Sequence, residues 1–252
     1  MSAYKASKVR MTVLALLAAA LAVPAGSAEF MTPNQAVYAP SVVGGAASLN
    51  WAGYAQIGFS YTSVQASWTV PEANCEGGQA SESAAWVGLG GVNGPGVEQI
   101  GTSSNCDGKG RPTYFAWYEL FPQPAQRIGP VSPGETITAS VQSTGGTSYT
   151  LTMNGVSYTG DAGPFADNGS AEWIVEAPAT CNPGTCRVLP LTDFGHVSFS
   201  GMNSSMFFGP MIQITMLTKP PVGPLGQPLP YMIKAVPTPF GGGGFTVFRL
   251  HK

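Results

Sequence analysis

Residues 171–176, Ala-Glu-Trp-Ile-Val-Glu, place two carboxylates in an otherwise apolar run. Side chains alternate across a β-strand. Glu172, Ile174 and Glu176 would then share one face, and Ala171, Trp173 and Val175 the other. An acid beside an Ile on a packed face is costly unless a partner or a reaction uses it. The chain has only 13 acids in 252 residues, and Glu72, Glu76, Asp107, Asp161 and Asp167 stand among turn residues. The acids flanked by aromatic rings are Glu119, in Tyr114-Phe-Ala-Trp-Tyr-Glu-Leu-Phe121, and the two around Trp173. Four residues of strand put Glu172 and Glu176 about 14 Å apart. The two carboxyls of a glycosidase stand roughly 5–9.5 Å apart. A glycosidase pair would therefore combine Glu119 with Glu172 or Glu176 across strands.

Other chemistries lack their parts. The chain has two histidines, His196 beside an alternating run and the penultimate His251. A Ser-His-Asp hydrolase would rest on His196 alone, and no Gly-x-Ser-x-Gly elbow accompanies it. There is no His-Glu-x-x-His, no Asp-Thr-Gly or Asp-Ser-Gly, no phosphate-binding Gly-x-x-x-x-Gly-Lys loop and no Gly-x-Gly-x-x-Gly. Carboxylates and amides remain for acid–base work, with no cofactor and no metal implied.

The elements that position these groups are read from composition and period. Lys5, Lys8 and Arg10 precede the apolar run 11–23, and small residues follow, with Ala25 and Ala28 as cleavage points. Residues 1–28 thus read as a secretory signal peptide. No later run is long enough to span a membrane, so a soluble, secreted, extracellular protein is expected. The leader holds three of the 11 basic residues and none of the 13 acids, leaving eight bases against 13 acids. That balance disfavours nucleic acid as a partner. So few charges also limit self-repulsion in acid.

Four cysteines in a secreted chain predict disulfides. Cys181 and Cys186 flank Asn-Pro-Gly-Thr and are expected to staple a local loop, which leaves Cys75 with Cys106. A four-thiolate zinc site lacks the usual close Cys pair.

Period-2 alternation recurs. Val64, Ala66, Trp68 and Val70 face one way; Ile137, Ala139 and Val141 do likewise, as do Tyr149, Leu151 and Met153. Asn154-Gly155 then predicts a tight hairpin into 156–158. Further strands are expected at 84–89, 114–121, 171–177, 196–200, 211–217 and 245–249. With 33 Gly and 22 Pro between such runs, the fold class is all-β, a sandwich or barrel. Residues 29–48 carry no Lys or Arg and read as a short pro-segment or irregular start, 49–252 as one domain, and 220–244 as a long irregular connection.

Five segments in order resemble the glutamic peptidases, or eqolisins. They are Asn50-Trp-Ala-Gly-Tyr54 with Val64 to Pro71; Ala85-Trp-Val-Gly-Leu89 with Glu98-Gln-Ile-Gly-Thr102; Trp117-Tyr-Glu119 with Pro133-Gly-Glu-Thr136; Ala171 to Glu176; and Leu189 to Phe194. The resemblance implies a β-sandwich of two large antiparallel sheets and a catalytic pair of Gln99 and Glu176. It places Trp51, Trp86 and Glu119 along the cleft as substrate-binding or supporting residues. It implies a secreted acid endopeptidase acting on proteins or peptides as a monomer, insensitive to pepstatin. The chain departs from the family's fungal members at Gly90-Gly91, where they carry Asp-Gly, and at Leu120, where they carry a Trp. It also shows no basic pro-segment before Trp51. The alternatives are a non-catalytic carbohydrate- or peptide-binding sandwich, and a glycoside hydrolase built on Glu119.

Overall fold

The structure, a computed structural model, describes residues 38–250 apart from 43, 44, 93, 95, 183, 184, 207, 208, 219–222, 228 and 229. Side chains are described from residue 47 on, again excepting 181–186. The leader, residues 29–37 and His251 lie outside the described residues.

The strands run in chain order as β1 (Tyr38–Val42), β2 (Gly45–Ser48), β3 (Trp51–Ile57), β4 (Ser63–Thr69), β5 (Ala84–Gly90) and β6 (Val97–Cys106). Then come β7 (Pro112–Leu120), β8 (Gln126–Pro130), β9 (Thr136–Gly145), β10 (Ser148–Met153), β11 (Val156–Asp161) and β12 (Ser170–Glu176). The last six are β13 (Ala179–Asn182), β14 (Thr185–Val188), β15 (His196–Ser204), β16 (Met211–Leu217), β17 (Ile233–Pro237) and β18 (Phe245–Arg249).

Two layers pack face to face. The front layer is β16-β3-β12-β5-β6-β7-β8, and the back layer β11-β10-β9-β4-β15-β18-β17. This is the expected β-sandwich, but its hydrogen-bond ladder is continuous. β16 pairs with β17, so the two layers are one sheet folded over. The core lies between them. Ala85, Val87, Leu89, Ile100, Trp173 and Val175 from the front meet Val64, Ala66, Trp68, Ile137, Val141, Leu151 and Phe199 from the back. Val64, Ala66, Trp68, Ile137, Val141 and Leu151 are residues that the period-2 pattern points one way, and they face the core.

The Asn154-Gly155 turn has both residues at positive φ, 47° and 82°, as a two-residue hairpin requires. The Cys75–Cys106 disulfide is formed and closes the far end of β6. Cys181 and Cys186 stand opposite each other in the β13–β14 ribbon, but their side chains lie outside those described.

Several strands were not expected, β8 and the β13–β14 ribbon among them, and three further regions shape the sheet. The segment 97–106 is a full strand, β6. Residues 233–237, expected to be irregular, form β17 and carry the ladder from front to back. β1 and β2 fall in the segment read as a pro-segment or irregular start, and β2 lies parallel to β16. The sheet therefore begins before residue 49. Among the described residues no helix is long and apolar enough to cross a membrane.

Candidate active site

The front layer has a second buried face, turned away from the core. Alternation along β12 sends Glu172, Ile174 and Glu176 there, while Ala171, Trp173 and Val175 enter the core. Register carries that face across the neighbouring strands. Glu176 stands opposite Trp51 on β3 and Ala84 on β5. Ile174 stands opposite Trp86, Trp86 opposite Gly101, and Gly101 opposite Trp117. Glu172 stands opposite Gly88, Gly88 opposite Gln99, and Gln99 opposite Glu119. All five residues expected at the site, Trp51, Trp86, Gln99, Glu119 and Glu176, therefore share one face.

Two glycines make room for the Trp86 side chain. A Cβ on Gly101 would lie 2.5 Å from the Trp86 Cβ, and one on Gly88 would lie 2.9 Å from Trp86 Cζ3. Gly88 thus leaves room for the Trp86 ring, and Gly101 for its Cβ and backbone. The Trp86 ring meets Trp51 in a T-shaped contact, with centroids 5.0 Å apart. So placed, Trp86 Nε1 donates to Glu176 Oε2 at 2.9 Å.

The other Glu176 oxygen, Oε1, accepts from Asn50 Nδ2 at 3.2 Å. Asn50 was not singled out as a functional residue. Only its place beside Trp51 in a recognised segment hinted at it, because its partner lies far along the chain. Gln99 Nε2 donates to Glu119 Oε2 at 2.8 Å rather than to Glu176. By register Gln99 lies in the row of Glu172, four residues along the strand from that of Glu176. Glu119 is near enough to Glu176 for an ionised Glu176 to raise it.

None of these side chains is exposed: Glu176, Gln99, Glu119, Trp51 and Trp86 are all at 0%. Burial pushes Glu176 up to about 8, against the pull of Trp86, Trp51 and Asn50, which favour the carboxylate. The Trp51 N–H exerts this pull without a hydrogen bond of ordinary geometry. Burial also holds Glu119 well above the usual carboxylate range. The Glu176 charge adds to that, and the Gln99 amide works against it. No cation helps, since Arg111–Asp107 on the surface is the ion pair found among the described residues.

Six polar atoms on this face are buried without a hydrogen bond of ordinary geometry: Trp51 Nε1, Trp117 Nε1, Gln99 Oε1, Glu119 Oε1 and both Glu172 oxygens. Native interiors rarely leave such groups unpaired. Donors and acceptors around a carboxyl that holds its own proton can bind a water or a peptide group and pass protons to it. Among the described residues no cluster of His, Cys, Asp and Glu could hold a metal ion. A cavity of about 920 Å³ lies elsewhere, lined by Glu72, Asn74, Asp193 and His196, and holds none of the five.

The profile of the Peptidase A4 family matches residues 49–212. Scytalidopepsin B of Scytalidium lignicola is 29% identical over 157 residues, covering 58% of each chain. Aspergillopepsin-2 of Aspergillus niger is 29% identical over 188 residues, covering 63% of this chain and 64% of that protein. The chain thus spans less than two thirds of the length of these two relatives. The structure of scytalido-glutamic peptidase with a transition-state-analogue inhibitor superposes with a TM-score of 0.63 at 24% identity, over 80% of this chain and 98% of that one. The eqolisin SCP-B in complex with the tripeptide Ala-Ile-His gives 0.58 over the same shares. At that identity the likeness is one of fold.

Proposed function

Because this chain belongs to the Peptidase A4 family, we propose that it is a secreted acid endopeptidase in which Glu176 and Gln99 carry the chemistry. The observation that supports this most directly is the set of neutral donors converging on a fully buried carboxyl: Asn50 on Oε1 and Trp86 on Oε2.

Glu176 as carboxylate takes a proton from a water, whose oxygen bonds to the scissile carbonyl carbon. The carbonyl electron pair moves onto its oxygen. Gln99 Nε2 carries two hydrogens, and one is committed to Glu119. The second is available to the water and then to the oxyanion, a contact whose removal typically costs about 3–4 kcal/mol of barrier. Glu176 returns its proton to the departing nitrogen, the C–N bond breaks, and a carboxylic acid and an amine leave. Trp51 and Trp86 wall the centre, and Glu119 holds the amide.

Neither Glu176 nor Gln99 is exposed in this structure, so the reading requires that a peptide gain access to this face. Buried as it is here, Glu176 is pushed up to about 8. A bound water, together with the donors, favours the carboxylate that the first step needs. Protein or peptide substrates, a monomeric state and export from the cell belong to the same reading.

Digestion of casein between about pH 2 and 7, with and without pepstatin, tests it, alongside Glu176→Gln and Gln99→Ala. Acid proteolysis insensitive to pepstatin and abolished by Glu176→Gln is expected. Full activity of that variant would sink the mechanism, and polysaccharide cleavage without proteolysis would favour a glycosidase on Glu119.

A further inference from the structure

Glu176 is held by a chain of contacts that begins in the N-terminal strand. Ser48, Asn50 and Glu176 are all fully buried. The Ser48 Oγ accepts from the backbone N–H of Asn50 at 3.2 Å and of Trp51 at 3.1 Å. Both of its lone pairs are then engaged, and its single proton goes to Asn50 Oδ1 at 3.0 Å. This decides which way the amide faces. A flipped Asn50 would press its NH₂ against a saturated hydroxyl and turn its oxygen toward the Glu176 carboxyl. The Nδ2 is therefore the atom that meets Glu176 Oε1. The backbone locks the same corner, because the N–H of Ala177, next to Glu176, donates to the Asn50 carbonyl at 2.8 Å.

We propose that Asn50 is a positioning residue for the Glu176 carboxylate, oriented by Ser48, so that strand β2 is part of the catalytic device. The proposal rests on Glu176 being the base. Ser48 ends β2, and the sheet rather than a loop sets its place. Ala46, Ala47 and Ser48 pair in parallel with Ile214, Thr215 and Met216 of β16. Losing β2 would free the hydroxyl, then the amide, then the carboxylate. Any processing cut within 29–48 that leaves an active enzyme therefore falls before Gly45.

The test uses the full chain with Asn50→Ala, Ser48→Ala and Glu176→Gln, kcat measured against pH, and circular dichroism to confirm folding. Asn50→Ala removes a donor that favours the ionised form. Its acid limb of kcat is expected to move up by about one pH unit, with kcat about tenfold lower. Glu119, the other titratable group coupled to Glu176, is unchanged in every variant. Ser48→Ala is expected to shift the limb the same way by less, and it carries the test if Asn50→Ala does not fold. A folded Asn50→Ala, or Ser48→Ala in its place, with the parent's pH profile would overturn the proposal. So would N-terminal sequencing of a fully active protein that begins after Ser48. An active Glu176→Gln would instead overturn the assignment of the base, which separates the two failures.

Discussion

Two pairs of buried carboxyls lie on β6, β7 and β12, and they differ in what surrounds them. Glu119 and Glu176 have neutral donors: Gln99 on the first, Asn50 and Trp86 on the second. Glu98 and Glu172 are equally buried at 0% exposure, yet all four of their oxygens lack a hydrogen-bond partner of ordinary geometry. Burial pushes Glu98 up to about 9, and the Asp167 charge adds to it, while the Tyr149 hydroxyl and the Asp167 backbone pull the other way. Burial raises Glu172 well above its ordinary value, with Asp167 and Glu98 adding to it against the pull of Ser170. Burial alone makes a carboxyl that keeps its proton. Convergent donors make one that can give the proton up and take it back. On the proposed reading the first pair serves the chemistry, Glu176 as the base and Glu119 as the holder of the Gln99 amide, and the second pair takes no part in it.

Substitutions that remove the donors, or the carboxyl they serve, break this contrast most. Glu176→Gln keeps the shape and removes the base, so proteolysis is expected to fall by about 10³-fold or more. A folded variant with near-parent kcat on casein would erase the distinction between the pairs. Gln99→Ala is expected to cost about 10²-fold in kcat through the lost oxyanion donor, with a smaller change in KM. Glu119→Ala frees the Gln99 amide to rotate, and a loss of about tenfold is expected from misplacement alone. Steady-state kinetics at one acid pH ranks all three.

The second pair should respond in stability rather than rate. Glu98 is raised in the fold from 4.5 to about 9. Below about pH 4.5 it is neutral whether folded or unfolded, and its contribution is full. As pH rises toward 9 the unfolded chain sheds the proton first, so stability falls. Urea midpoints are expected to drop between pH 4 and pH 7, and Glu98→Gln should flatten that fall. Activity of Glu98→Gln and Glu172→Gln at acid pH is expected to stay within about threefold of the parent. A tenfold loss in either would place the second pair in the chemistry.

Much of the sandwich was legible because half-buried strands alternate. Val64 to Val70, Ile137 to Val141 and the Asn154-Gly155 hairpin could be read from single residues. β6 could not. Val-Glu-Gln-Ile-Gly-Thr-Ser-Ser-Asn-Cys shows no alternation because both of its faces are buried, with Ile100 in the core and Gln99 on the outer face. β17 was hidden by the Pro and Gly around it, since nothing local says that Ile233–Pro237 bridges β16 and β18.

The same limit governs the site. Alternation within 171–176 was enough to put Glu172 and Glu176 on one face, and resemblance was enough to prefer Glu176 and pair it with Gln99. Spacing alone could not say which carboxyl would find donors. The amide on Oε1 comes from 126 residues away in sequence and the indole on Oε2 from 90. Glu172, on the same strand and face, has neither. Hydrogen bonds act over about 3 Å, and only the folded sheet brings Asn50 and Trp86 within that reach of Glu176.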